Sequence, residues 1–105
     1  MWLRDGIYQL DVPVPVLSEK IDLVSRTEGI AYELKTESLR EHPTLDLANS
    51  LLKVHFLNRH SKFKIQILAF ITEESNIPLL KVCGIAQDLL ERAAKADLGV
   101  EIIGV

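Results

Sequence analysis

The first third of the chain carries short apolar runs interrupted by polar residues, the pattern of strands with one buried face. These runs predict three strands, over 6–12, 20–25 and 29–36. Pro13 and Pro15 end the first run or place it at a sheet edge, because proline cannot donate to the ladder. The four residues from Arg26 to Gly29 predict a turn between the other two strands, since glycine suits the positive φ of its last position.

Helical spacing takes over after the third run. From Pro43, which suits a first helical turn, apolar residues recur at intervals of three and four to about Arg59. The segment from Phe63 to Thr72 is then apolar almost without interruption, which is typical of a strand covered on both faces. A helix followed by a fully buried strand is therefore predicted for the middle of the chain.

The last third of the chain predicts one more helix and one more strand. Pro78 opens an apolar stripe of helical spacing that ends near Asp97, and 100–105 is a last short apolar run. The resulting order, β-β-β-α-β-α-β, predicts an α/β fold in which helices pack on the faces of a mixed β-sheet. A chain of 105 residues is expected to form a single domain over 1–105.

Composition narrows the functional classes. The net charge of −3 provides no global basic field, so a nucleic-acid-binding surface would have to be local. Cys83 is the only cysteine, which excludes an intrachain disulfide and indicates an inert core residue in a reducing compartment. No apolar stretch is long enough to cross a membrane and no signal-peptide pattern opens the chain, so a cytoplasmic protein without a membrane partner is expected.

The predicted hairpin carries charged residues where half-buried side chains are expected. If Arg26 and Gly29 flank a two-residue turn, the same register places Asp22 opposite Glu33, with Cβ atoms roughly 5 Å apart. Lys35 lies two residues after Glu33 and therefore on the same face of its strand. Two carboxylates side by side repel each other unless a cation holds them, so this arrangement indicates a divalent-metal site beside a lysine.

Phosphodiester hydrolysis requires this set of groups. A metal ion polarises the phosphate and lowers the pKa of a bound water, and Mg²⁺ (or Mn²⁺) prefers oxygen ligands. The predicted metal ligands are the carboxylates of Asp22 and Glu33 and the backbone carbonyl of Leu34. Lys35 can stabilise charge on the phosphate or position the attacking water. Asp22, Glu33 and Lys35 are therefore the predicted catalytic residues.

An aspartate on one strand, Glu-x-Lys on the next after a short turn, and then a helix and a strand resemble the PD-(D/E)XK nuclease superfamily. The motif reads Ile21-Asp22 and then Glu33-Leu34-Lys35, and the resemblance extends from about Ile7 to Thr72. It implies the restriction-endonuclease-like fold and a Mg²⁺-dependent endonuclease, a hydrolase that acts on DNA.

Two features depart from the superfamily pattern. Ile21 stands where members often have proline, and only about six residues precede the first strand, where members usually have a helix. Either the chain is a truncated or compact version of the fold or a partner chain supplies that helix, and Asp11 is a weak candidate for the acid that the helix often carries. A homodimer is the other expectation, because one small domain has one active site and cutting both DNA strands takes two.

The segment from Lys53 to Lys64 is basic and contains no acid. Basic side chains at one edge would contact phosphates without reading the base sequence. In the superfamily, polar residues on the helix after Glu-x-Lys often face the site, and Asn49 and Lys53 lie four apart on one helix face. The predicted nucleic-acid-binding residues are Asn49, Lys53, Arg59, Lys62 and Lys64.

Less specific interpretations of the same residues stay open. Asp22 could pair with Lys20 or Lys35 at the surface, and Glu33 could belong to a solvated strand face. The basic residues could complement the dipole at the end of a helix. The same fold could also serve as a catalytically weak or inactive binding subunit of a larger assembly. Finally, the chain could be a small interaction protein of another fold.

Overall fold

The computed structural model describes residues 8–35, 43–62 and 64–105. In these ranges the elements are β1 (Tyr8–Pro13), β2 (Lys20–Ser25), β3 (Ile30–Lys35), α1 (Pro43–His60), β4 (Ile67–Thr72), α2 (Asn76–Val82), α3 (Gly84–Lys95) and β5 (Gly99–Gly104). The strands form one sheet in the order β1-β2-β3-β4-β5, antiparallel from β1 to β3 and parallel from β3 to β5. The predicted fold class, an α/β fold built on a mixed sheet, is confirmed.

The hairpin of β2 and β3 has the predicted register. Val24 pairs with Ala31 and Leu23 pairs with Tyr32. Gly29 ends the turn with φ of 69°, the left-handed conformation that glycine adopts without strain. Its carbonyl accepts hydrogen bonds from the N–H groups of Gln66 at 2.7 Å and Ile67 at 3.1 Å. The end of the turn therefore also fixes the start of β4.

The sequence predicts one continuous helix from Pro78 to about Asp97. This prediction is wrong, because the structure has two helices, α2 and α3, which are separated at Cys83. Cys83 has φ −80° and ψ 116°, and the Gln87 side chain donates to the carbonyl of Leu80 at 2.9 Å across the break. Val82, which belongs to the apolar stripe that opens at Pro78, is 82% exposed at the end of α2. Cys83 itself is only half-buried, and the hydroxyl of Thr44 donates to its sulfur at 3.3 Å.

β4 begins later than its apolar run suggests. The prediction starts the strand at Phe63, which lies outside the described residues. Asn58 bonds Ile65 at both backbone groups, accepting from its N–H at 2.6 Å and donating to its carbonyl at 2.9 Å. This two-point contact ties the end of α1 to the incoming chain, so pairing with β3 starts at Ile67.

The three helices pack on one face of the sheet. Leu68 and Phe70 of β4 lie in clusters with residues of α1, and the Phe70 cluster also includes residues of α2 and α3. Right-handed crossovers that step the same way along a sheet put their helices on the same side. The described helices pack on the sheet as predicted, and all of them lie on the same face. None of their helices has the length and apolar character needed to cross a membrane.

Candidate functional site

Glu33 is at the centre of the candidate site and is fully enclosed, with 0% exposure. Its Oε1 atom accepts hydrogen bonds from the ammonium of Lys53 at 2.8 Å and from the hydroxyl of Ser50 at 3.2 Å. Its Oε2 atom accepts from the backbone N–H of Asp22 at 3.2 Å. The carboxylate is thus removed from solvent and held by donors from both β2 and α1, which satisfies its buried oxygens.

Asp22 and Glu33 connect β2 and β3 beyond their last paired residues. Backbone pairing ends at Leu23 and Tyr32. One step further, the N–H of Asp22 donates to Glu33, and the N–H of Leu34 donates to Asp22 Oδ2 at 2.8 Å. The two carboxylates therefore take acceptor positions between the strands and lie at the same point of the sheet. Asp22 is half-buried, so solvent reaches the site through this acid.

Lys53 lies inside the site and not on the surface, where the predicted phosphate contact would require it. Its side chain is 7% exposed, and besides Glu33 it bonds the carbonyl of Lys20 at 2.9 Å and lies 3.9 Å from Glu19. Lysine and glutamate are almost never buried unless paired, and each supplies the partner of the other here. α1 therefore delivers a buried cation to a buried acid.

Ser50 belongs to the site although its residue type alone does not single it out. Ser50 and Lys53 lie three apart on one face of α1, and both are buried. They interrupt the apolar stripe that contains Leu47 and Val54. Polar residues at positions where helical spacing calls for apolar ones need buried partners, and that is the signal that could have identified them.

Lys35 is half-buried on the same face of β3 as Glu33. Its carbonyl accepts from the hydroxyl of Thr72 at 3.4 Å, and within the described residues no hydrogen bond or ion pair engages its ammonium. The side chain of Leu34 is 51% exposed, and the ligand role of its carbonyl stays a prediction. Lys35 is thus a cation of the predicted set that a substrate could reach.

The remaining predicted nucleic-acid contacts are exposed side chains. Asn49 lies one turn before Lys53 on α1 and faces solvent. Arg59 is exposed at the end of α1, and Lys62 and Lys64 are exposed in the loop that follows it. The ammonium of Lys64 donates to the carbonyl of Asn58, whereas the other three side chains are available for an external partner. None of the four forms part of the enclosed site.

The basic loop lies at the other end of the sheet from the carboxylates. The carbonyl of Lys64 is next to Gly29, where a Cβ atom would approach it to 3.2 Å. Gly29 precedes Glu33 by four residues, a distance of about 13 Å along a strand. Of the predicted basic residues, the structure brings Lys53 to the acids, whereas Arg59, Lys62 and Lys64 lie away from them.

Burial raises the pKa of Glu33 above its usual range, because the charged form loses hydration. The hydrogen bond from Lys53 acts in the opposite direction, and the neighbouring carboxylate of Asp22 raises the pKa further. Such opposing influences on one carboxyl are common where acids act in binding or catalysis, although structural ion pairs produce them too.

The donors of this site can be compared with the ligands that a hydrated divalent cation requires. A carboxylate offers about four acceptor positions, and Asp22 uses one of them for Leu34. Mg²⁺ usually binds through one or two carboxylates and keeps water or substrate phosphate for the rest. In the described part of the chain no three His, Cys, Asp or Glu side chains cluster, and Asp11, the substitute acid considered above, is exposed. Asp22 and Glu33 are therefore the two groups that could hold the ion.

The chain matches no protein-family model, no curated protein and no solved structure. What the site does has to be argued from its own residues. Because Glu33 is enclosed and bonded to Asp22, the charged hairpin is not a solvated strand face, and the interpretation that depended on such a face is not favoured.

Proposed function

We propose that this protein is a metal-dependent nuclease that hydrolyses phosphodiester bonds in DNA. The observation that carries the proposal is the junction of Asp22 and Glu33, two acids held at one point between antiparallel strands. A lysine follows on the same face, in the order that resembles the PD-(D/E)XK superfamily. Structural ion pairs seldom bring a second carboxylate to a buried one, because the two repel.

Each side chain has a stated role in this proposal. Asp22 and Glu33 hold the cation, which supplies polarisation of the phosphate and a more acidic bound water. Ser50 and Lys53 fix the orientation of Glu33 and are positioning residues. The ammonium of Lys35 is expected to offset charge on the phosphate.

Cleavage assays on linear, supercoiled and branched DNA with Mg²⁺ or Mn²⁺ test the proposal. Glu33→Gln and Lys35→Ala are expected to lower the cleavage rate at least a hundredfold, as removal of a single stabilising group does in other enzymes. Glu91→Gln and Lys95→Ala change exposed residues of α3 and serve as matched controls. Equal cleavage by the site variants and the controls, with folding verified by circular dichroism, would refute the nuclease assignment.

A binding subunit without hydrolytic activity is the second candidate, and one observation favours it. The ammonium of Lys53 already balances the charge of Glu33, so the buried acid needs no further cation for neutrality. In that case the fold would bind nucleic acid or protein through its surface and the ion pair would be structural.

Calorimetric titration of Mn²⁺ separates the two candidates. A nuclease requires binding that Asp22→Asn abolishes and Glu91→Gln preserves. If no Mn²⁺ binds even with a DNA oligonucleotide present to complete the coordination shell, the binding-subunit assignment is preferred.

A further inference from the structure

The face of the sheet opposite the helices is apolar and uncovered by any described helix. We call this surface the open face; its residues are Leu10, Leu23, Tyr32, Leu34, Ala69, Ile71, Glu101 and Ile103. Strand pairing places these residues side by side, from Leu10 opposite Leu23 to Ile71 opposite Ile103. They belong to neither buried cluster, and Leu10, Leu34 and Ile103 are 53%, 51% and 39% exposed.

The apolar sequence of β4 indicates that another protein layer covers the open face when the protein functions. Strands buried on both faces have continuous apolar sequences, whereas strands with one wet face alternate. β4 reads ILAFIT, and its residues Ala69 and Ile71 point away from the helices. Ala69 is only 2% exposed and Ile71 is half-buried, so the solvent-exposed apolar area lies on the neighbouring strands, at Leu34 and Ile103, and an additional protein layer would cover it.

The charge and shape of the open face favour a second copy of the same chain as that layer. Glu101 is its only charged residue, and it lies on the edge strand β5, so two such faces can meet without burying opposed charges at their centres. A flat apolar face packs well on another sheet of similar twist, and an identical chain supplies the same twist.

The area is sufficient for a modest dimer. Five strands of six residues cover at most roughly 20 by 24 Å, so two copies would bury no more than about 1,000 Å² in projection. That value is at the low end of specific interfaces, which corresponds to transient or micromolar association rather than to an obligate dimer.

We propose that two copies of this chain pack through their open faces, with their helices outward. Each candidate site faces α1, on the far side of its sheet from the interface. The interface therefore leaves the helical side of each sheet uncovered, and association does not depend on whether the sites bind a metal or cleave DNA.

Light scattering and sedimentation velocity over a series from micromolar to millimolar concentration test the interface. The wild-type chain is expected to shift from monomer to dimer within this range. Leu10→Lys and Ile103→Lys, at opposite edges of the open face, are each expected to weaken dimerization at least tenfold. Two separate variants are used so that a folding defect in one of them cannot explain both results. Circular dichroism checks that each variant is folded.

Ile85→Lys is the matched control, because Ile85 is 68% exposed and lies on α3 in the helical layer. It is expected to dimerize as the wild type does. A chain that stays monomeric throughout would overturn the proposal and indicate that another protein or segment covers the open face. A dimer that Ile85→Lys disrupts and Ile103→Lys preserves would also overturn it.

Discussion

Glu33 is a carboxylate that the fold encloses and then surrounds with donors. Lys53 is the one donor among them that carries charge, and it lies 2.8 Å from Glu33 Oε1. Removing one partner of a buried pair leaves an uncompensated charge, which costs more than the intact pair contributes. The pair is therefore a vulnerable point of the fold, whatever chemistry the site performs.

Lys53→Met is expected to lower the free energy of unfolding by about 3–5 kcal/mol, because it leaves Glu33 buried without its cation. Adding Glu33→Gln to that variant should restore much of the loss, since both charges are then gone. Urea unfolding gives both values. Lys81→Met, at an exposed lysine on α2, is the control and should stay within about 0.5 kcal/mol of the wild type. A similar small effect for Lys53→Met would contradict the buried pair.

The raised pKa of Glu33 predicts a particular pH dependence of stability. The folded protein keeps a proton on this acid at pH values where the unfolded chain has lost it, starting near the ordinary value of 4.5. The contribution of Glu33 to the free energy of unfolding therefore falls as pH rises from that value through the raised pKa, and is constant above it.

Urea unfolding of the wild type and of Glu33→Gln across this pH range measures the effect as the difference between the two curves. The difference should change in the stated direction and then level off. A difference that does not vary with pH would show that Glu33 titrates alike in the folded and unfolded states.

Among the elements, the turn between β2 and β3 has the strictest requirement for a particular residue type, which is glycine at position 29. Gly29 has φ of 69°, and an added Cβ would lie 3.2 Å from the carbonyl oxygen of Lys64. Gly84, the first residue of α3, has open space where its Cβ would be. The two glycines provide a matched pair for the same substitution.

Gly29→Ala is expected to destabilise the protein by about 1–2 kcal/mol, the cost of the left-handed conformation for a residue with a Cβ atom. Gly84→Ala should instead raise stability by about 0.4–1 kcal/mol, because it restricts the unfolded chain. Thermal and urea unfolding of both variants test this contrast. Equal effects would mean that the turn relaxes around the new side chain.

Local patterns predict the elements of this fold better than its long-range contacts. The contact between Asp22 and Glu33 follows from strand alternation and a short turn, both of which are readable in sequence. The partner of Lys53 is twenty residues away, and no local rule says that this lysine turns inward. The break at Cys83 likewise depends on a side-chain bond from Gln87, which an apolar stripe does not reveal.

For the whole molecule, the basic loop lies at one end of the sheet and the site formed by Asp22 and Glu33 lies at the other. A DNA duplex that reaches both would have to run along α1, with Arg59 and Lys62 on phosphates well away from the site. Such contacts add affinity without sequence preference, and each released counterion adds about 0.9 to the salt dependence of binding.

Arg59→Ala combined with Lys62→Ala is expected to reduce the slope of log affinity against log salt by about 2. Fluorescence anisotropy with a labelled duplex at several salt concentrations gives the slope. Gln66→Ala, an exposed neutral residue of the same loop, is the control. An unchanged slope in the double variant would place the DNA on another surface.

The order in which the sheet assembles follows from the carbonyl of Gly29. Because it binds the N–H groups of both Gln66 and Ile67, a closed turn offers β4 the acceptor that sets its register. The hairpin closes over a few residues, whereas β4 must return across roughly thirty, and short closures cost less entropy. We therefore expect the two acids to meet early in folding, while water and salt still screen their repulsion, and Lys53 to reach them only when α1 docks.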